Sequence, residues 1–328
     1  MDLATFNHVR AQLDFRKRID LLVVRLLFAG ALFAGILTGL ATLGIAGKVI
    51  AAVLLPVLFF NGFGLMHEAV HGALAQDRWV NDAVGVLGGA FCFLPYLPWK
   101  LMHLEHHQWA GNVERDPVNK LRKDYDPKNV VKNQILSAIW RSWLPILAFL
   151  QHTVFWMYPL QQWKTLNLDV RNKIVYAASY LFPATLYVGL VLRWPTAFTL
   201  VNFAPGIFCY LVLVEFVNLP HHLDLPTYRD KTRLPIMDQH LIARSAVYSK
   251  PFAQWVLLNF NLHSEHHLFP TLPWHELQKA RTLVKPVLGD SYNETQGNSW
   301  LRKHRNAPLG DLLAPKDDPA SKSQSAVA

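Results

Sequence analysis

Three short stretches concentrate imidazoles: His67-Glu-Ala-Val-His71, His103-Leu-Glu-His106-His107 and His263-Ser-Glu-His266-His267. A fourth, Asn218-Leu-Pro-His221-His222, adds an adjacent pair. On a helix, residues at i, i+3 and i+4 share a face, so each stretch aims its rings at one point. With 15 histidines in 328 residues, HxxHH arises by chance about 0.03 times per chain, and it occurs here twice. Packing gains nothing from adjacent imidazoles, and protonated ones repel. A shared metal removes the conflict, because neutral imidazole is a common ligand. His67, His71, His103, His106, His107, His263, His266 and His267 exceed the four ligands of one zinc ion. Two ions sharing eight or nine imidazoles fit the count. The donor set suits iron, zinc, copper or nickel. Glu68, Glu105 and Glu265, inside the stretches, are candidate acceptors for ring N–H groups, which would orient the ligands. His8, His152, His240, His275 and His304 stand alone and read as ordinary polar side chains.

The rings can meet only if their carriers end on the same side of a membrane. Residues 21–46 are apolar for long enough to cross a hydrocarbon core of ~30 Å at 1.5 Å per residue. Arg25, near the start, can snorkel to the interface. Gly35 and Gly39 have the GxxxG spacing that permits close helix packing. Residues 49–66, 174–192 and about 195–217 are further spans, and the brief links within each pair predict two transmembrane hairpins. The first hairpin ends directly before His67 and the second directly before Asn218. Basic residues crowd the N-terminal arm, the segment between the hairpins and the region after Asn218. The positive-inside rule therefore places both termini and every histidine stretch on the cytoplasmic side.

Residues 84–98 are too short to span and read as re-entrant or surface-lying. Residues 135–160, with Trp140, Trp143, Phe149, Phe155, Trp156 and Tyr158, read as interfacial. One extra crossing in either would separate the stretches. The expected fold is an all-α integral membrane protein with four spans in two helical hairpins and a cytoplasmic helical cap carrying the His-rich site. Residues 1–305 form one domain in this reading. Residues 306–328, rich in Pro, Ser, Ala, Lys and Asp, read as a disordered tail. The expected location is a plasma or inner membrane, with multiple passes.

Composition agrees. The chain is 52% hydrophobic and only 17% charged, against about 25% charged in soluble domains. The net charge of +9 follows from topology; no nucleic-acid motif accompanies it, and no nucleic-acid partner is expected. Cys92 and Cys209 sit in apolar runs and read as small buried hydrophobes. They provide neither a disulfide framework nor an iron–sulfur cluster. The first twenty or so residues are polar and basic, unlike a signal peptide.

The order HEAVH, HLEHH and late HSEHH, interrupted by two apolar hairpins, resembles the integral-membrane fatty acid desaturase/hydroxylase superfamily. HEAVHGAL is similar to its first box and EHHLFPTLPWHEL to its last, and the resemblance covers roughly residues 45–285. It implies that His67, His71, His103, His106, His107, His263, His266 and His267 hold two iron ions. It also implies a ninth histidine, with a water-bridging asparagine four residues before it. Asn218 and His222 match that spacing, with His221 adjacent. The implied reaction uses O2 and two electrons from an external donor of ferredoxin, rubredoxin or cytochrome b5 type to introduce a C=C bond into a fatty acyl lipid or acyl thioester. A narrow apolar tunnel beneath the metals would admit the chain, with Gly88-Gly89 a candidate for giving it room or for simple helix packing. A carotenoid ketolase or hydroxylase, or another lipid hydroxylase of the superfamily, is the alternative within it. A membrane metal-binding or transport protein is the alternative of another class, although transporters place ligands near the midplane and these stretches lie just outside the spans.

Overall fold

The computed structural model describes residues 1–157, 159, 164, 166–193, 196–248, 251–314 and 316. The chain opens with α1 (Leu3–Ala11), α2 (Ile19–Thr42), α3 (Gly44–Val70), α4 (Arg78–Cys92) and α5 (Tyr96–Trp109). After a short α6 (Lys120–Lys123) come α7 (Val130–Arg141), α8 (Ile146–Met157), α9 (Val170–Arg193) and α10 (Thr196–His222). The C-terminal part holds α11 (Pro251–Val256), α12 (His263–Leu268), α13 (Leu277–Leu288), α14 (Gly297–Arg305) and α15 (Leu309–Leu313). A parallel pair, β1 (Ser245–Val247) with β2 (Glu294–Gln296), sets Ser245 opposite Glu294.

Four helices are long and apolar enough to cross a membrane: α2, α3, α9 and the 201–222 part of α10. At 24 residues, α2 is about 36 Å long. Val23, Val24, Leu27, Val53, Leu181, Val188 and Leu192 are exposed on these helices, where a bilayer would cover them. By contrast, α3 is buried from Leu58 to Val70, as expected of a helix that is apolar all round. It packs against α2, α4 and α10. Both α3 and α10 run further than the apolar count predicts, so that α3 carries His67 and α10 carries His222 as its last residue.

Residues 84–98 fall on two helices, α4 and α5, bent by 99° at a break of a few residues. Phe93 closes α4 in the left-handed region, at φ 61°. A helix end leaves carbonyls without intrahelical partners, and in lipid these must be satisfied by protein. Here Tyr187 donates to the Ala90 carbonyl (2.5 Å), Tyr210 to that of Cys92 (3.3 Å) and Trp156 to that of Phe93 (2.9 Å). The 135–160 region also breaks, with Trp143 at φ 64° between α7 and α8. The 12 residues of α8 are too few to cross. Tyr158 lies outside the described residues.

Glycines let α3 and α4 approach closely. A Cβ on Gly88 would stand 2.5 Å from the Gly62 carbonyl oxygen, and one on Gly62 would stand 2.9 Å from that of Gly88. Helix packing, not room for a chain, accounts for Gly88. Gly88→Ala is expected to cost about 1–3 kcal/mol by overpacking, read as a lower melting temperature of the purified protein in detergent. The Gly35/Gly39 pairing does not occur: nothing approaches a Cβ on Gly35 within 4 Å. Gly39 meets Gly47 instead, across the turn at Leu43.

The tail also differs from expectation. Within 306–328, α15 buries Leu309, Leu312 and Leu313 against Trp140, Trp300 and Leu301. Residues 315 and 317–328 lie outside the described residues.

Candidate metal centre

The histidine stretches converge. α3 supplies His67 and, just past its end, His71. α5 supplies His103, His106 and His107, α10 supplies His222, and α12 supplies His263, His266 and His267. Two groups form: His67, His71, His103 and His266, and His106, His222, His263 and His267. Within each group the ligand atoms all lie within 4.8 Å of one another. His107 stands beside the first, its Nε2 3.1 Å from that of His103 and 3.0 Å from that of His266. His221 belongs to neither group. Its ring stacks on His263 at 4.0 Å and 9°, and its buried Nε2 has no hydrogen-bond partner. Asn218 is half-buried on α10, one turn before His222 and on the same face.

The second group can be tested for fit to a metal from its hydrogen bonds. His106 Nδ1 is 2.9 Å from Asp116 Oδ1, His222 Nδ1 is 2.9 Å from the Ile242 carbonyl, and His267 Nδ1 is 2.8 Å from Gln239 Oε1. All three partners accept, so each Nδ1 carries the hydrogen and each Nε2 presents a lone pair. Yet the Nε2 atoms of His106 and His222 are only 3.1 Å apart, and His263 Nε2 is 2.8 Å from that of His222 and 3.1 Å from that of His267. No hydrogen is available between His106 and His222. Facing lone pairs at that distance repel unless a cation lies between them, and a metal ion fits. In the first group His67 Nε2 is buried without a partner, and His71 Nε2 is 3.0 Å from His103 Nε2. Burial pushes His263, His266 and His267 well below the usual imidazole range, so they remain neutral at pH 7 in the form that ligates.

The carboxylates divide differently from the sequence expectation. Glu68 Oε1 lies 3.6 Å from His67 Nδ1, and its Oε2 accepts from the Trp274 backbone N–H at 2.9 Å. Glu105 is exposed and orients nothing. Glu265 is buried but faces away from the rings. It accepts from Ser245 Oγ at 2.6 Å and from the Tyr292 hydroxyl, tying α12 to β1. Burial pushes its carboxyl above the usual range. The ring acceptors are instead Asp116, Gln239 and the Ile242 carbonyl. Of these, only Asp116 has a local signal: it follows the second box closely, and its Oδ2 also accepts from the Gly111 backbone N–H at 3.0 Å.

The lone histidines His152 and His304 are held as ordinary polar groups, bonded to the carbonyls of Ala148 and Trp300.

Aromatic side chains pack against the rings. Trp99 stacks on His103 at 4.6 Å and 11°, and Phe260 lies 4.8 Å from His67. An open groove of about 340 Å³ runs between α4 and α9, lined by Trp79, Ala83, Val86, Ala178 and Phe182.

The fatty acid desaturase family model matches residues 43–297. The chain belongs to the fatty acid desaturase family. Curated relatives agree with this desaturase assignment. An sn-1 acyl-lipid omega-3 desaturase (ferredoxin) of Nostoc is 22% identical over 74% of this chain and 68% of its own length. An endoplasmic-reticulum omega-6 fatty acid desaturase of Brassica juncea is 24% identical over 73% of this chain and 66% of its own. An sn-1 oleoyl-lipid 12-desaturase of Picosynechococcus is 24% identical over 76% of this chain and 74% of its own. The desaturase is thus an oxidoreductase of lipid metabolism. Its apolar helices fit a membrane protein.

Proposed function

We propose that this desaturase is an O2-dependent di-iron enzyme that introduces a C=C bond into the acyl chain of a membrane lipid. The observation carrying this reading is the second histidine group, in which three Nδ1 atoms are held by acceptors while their Nε2 lone pairs face one another. His67, His71, His103, His107 and His266 would hold one ion. His106, His222, His263 and His267 would hold the other, with Asn218 placed to bridge through water and His221 as a stacking neighbour. Iron bound there supplies activation of O2 and removal of hydrogen from an unactivated C–H bond.

The chain's own part is to hold neutral imidazoles, keep water out and bring the acyl chain close. Asp116, Gln239 and the Ile242 carbonyl fix the ring tautomers. Trp99 and Phe260 form an apolar floor that excludes water from the membrane side. A ferredoxin-type protein, delivering one electron per encounter, is the first candidate for the donor of the two electrons, since a relative's name specifies one. The same names favour a lipid-linked acyl chain over an acyl thioester. The site and both termini lie on the cytoplasmic side in this reading, with residues 1–305 as one domain.

Expression in a host of known lipid composition tests this, with mass spectrometry of lipids and pigments. The expected result is an O2-dependent loss of two mass units from an acyl chain. A gain of oxygen on an acyl chain or pigment would instead establish a hydroxylase or ketolase.

A further inference from the structure

The segment 236–242 acts on both histidine groups although it contributes no candidate ligand. It begins as a 3-10 turn, Ile236–Leu241, packed against α12. Its Ile242 carbonyl takes the Nδ1 hydrogen of His222, and its Gln239 Oε1 takes that of His267. Gln239 also reaches across to the second box, where its Nε2 donates to the His107 backbone carbonyl at 2.9 Å. A carbonyl can only accept, so this bond fixes which way the amide points and leaves Oε1 for His267. The His107 carbonyl is one of the last four of α5, which ends at Trp109. Such carbonyls have no partner within their own helix. The amide is buried, so neither contact is replaceable by bulk water.

His107 stands beside the first group and His267 belongs to the second, and their rings stack at 4.4 Å and 28°. Nothing accepts from His107 Nδ1, which is buried without a partner. The placement of His107 therefore depends on its backbone, and Gln239 holds that backbone. We infer that Gln239 is a positioning residue whose one amide sets the register between the two metal-binding groups. Through its oxygen it keeps the His267 lone pair on Nε2, and through its nitrogen it ties the end of α5 to α12. The inference rests on the metal-centre reading above.

The test uses full-length protein purified in detergent, loaded with Fe(II) without oxygen and measured for iron per chain and Mössbauer spectrum. Wild type is expected to bind two irons per chain. Gln239→Leu keeps the bulk and removes both bonds, and is expected to weaken iron binding at the second group about 10–100-fold, so that at limiting Fe(II) it falls to about one iron. Gln239→Glu, measured at a pH where it is ionised, keeps the acceptor for His267 but as a carboxylate does not donate to the His107 carbonyl. It is expected to retain two irons with an altered spectrum and an altered Fe–Fe distance by X-ray absorption. Gln278→Leu, which loses bonds to Gln254 and Asn259 and none to a histidine, serves as the control and should match wild type. Wild type that binds no iron would sink the metal-centre reading itself. Two irons in Gln239→Leu with an unaltered spectrum would overturn the Gln239 inference alone. If Gln239→Leu does not accumulate, Gln239→Glu decides, and an unchanged Fe–Fe distance there overturns the register claim.

Discussion

His266→Ala is expected to leave the desaturase in the membrane and abolish turnover, with the first iron lost. The His266 ring packs within the first group, 4.4 Å from that of His67, 4.7 Å from those of His71 and His107 and 6.1 Å from that of His103. It is buried and neutral. Changing a residue that merely orients a ligand typically costs about 10–100-fold in metal affinity or activity. Deleting a ligand from a four- or five-ring set should exceed the upper end of that range. The helix carrying it does not depend on the ring. α12 is anchored by Glu265 to Ser245 and by the Ser264 hydroxyl to the Ala243 carbonyl. The checks are membrane-fraction abundance, iron per chain and product yield, with His152→Ala as the comparison. His152 is also buried, but it bonds to Ala148 and Tyr210 away from both groups, and its variant should keep its iron. Undiminished product from His266→Ala would remove the third box from the site.

The residues legible in the sequence were those whose chemistry is unusual in itself. Histidines at helical spacing have few structural uses, so His67, His71, His103, His106, His107, His263, His266 and His267 could be chosen without a fold. The choice between His221 and His222 could not be made, because neighbouring residues on a helix point about 100° apart and only the packing of α10 decides which joins the second group. None of the three ring acceptors was read from the sequence, and Asp116 alone lies near a box. Glu105 has the right chemistry but faces solvent. Gln239 has ordinary chemistry and reaches His267 from 28 residues away in the chain. A backbone carbonyl such as that of Ile242 leaves no compositional trace at all. The spans were visible because apolar length is a property of sequence, but their ends were not. α3 and α10 continue as helices into the histidines, and the last turn of α3 is buried.

Arg305→Leu is expected to destabilise the protein by about 3–5 kcal/mol, the cost of leaving one buried charge without its partner. Arg305 on α14 and Glu215 on α10 form an ion pair with both side chains almost fully buried. The guanidinium also donates to the Trp140 carbonyl at 2.7 Å and lies 3.7 Å over the Trp140 ring. Glu215 Oε1 accepts from the backbone N–H groups of Leu147 and Ala148 at 2.7 and 3.0 Å, at the start of α8. One ion pair thus joins α7, α8, α10 and α14, and it does so two helical turns before His222. Removing Arg305 leaves the carboxylate buried, with the two N–H groups as its remaining donors. Replacing both, Glu215→Leu with Arg305→Leu, removes the stranded charge and should recover part of the loss. The remainder includes the cost of the two N–H groups left unpaired at the start of α8. Thermal unfolding in detergent of the two single variants and the double variant measures the coupling. Strict additivity would mean that the pair contributes no interaction of its own. Because α10 ends at His222, the Arg305 variant should also lose metal from the second group at a lower temperature than from the first.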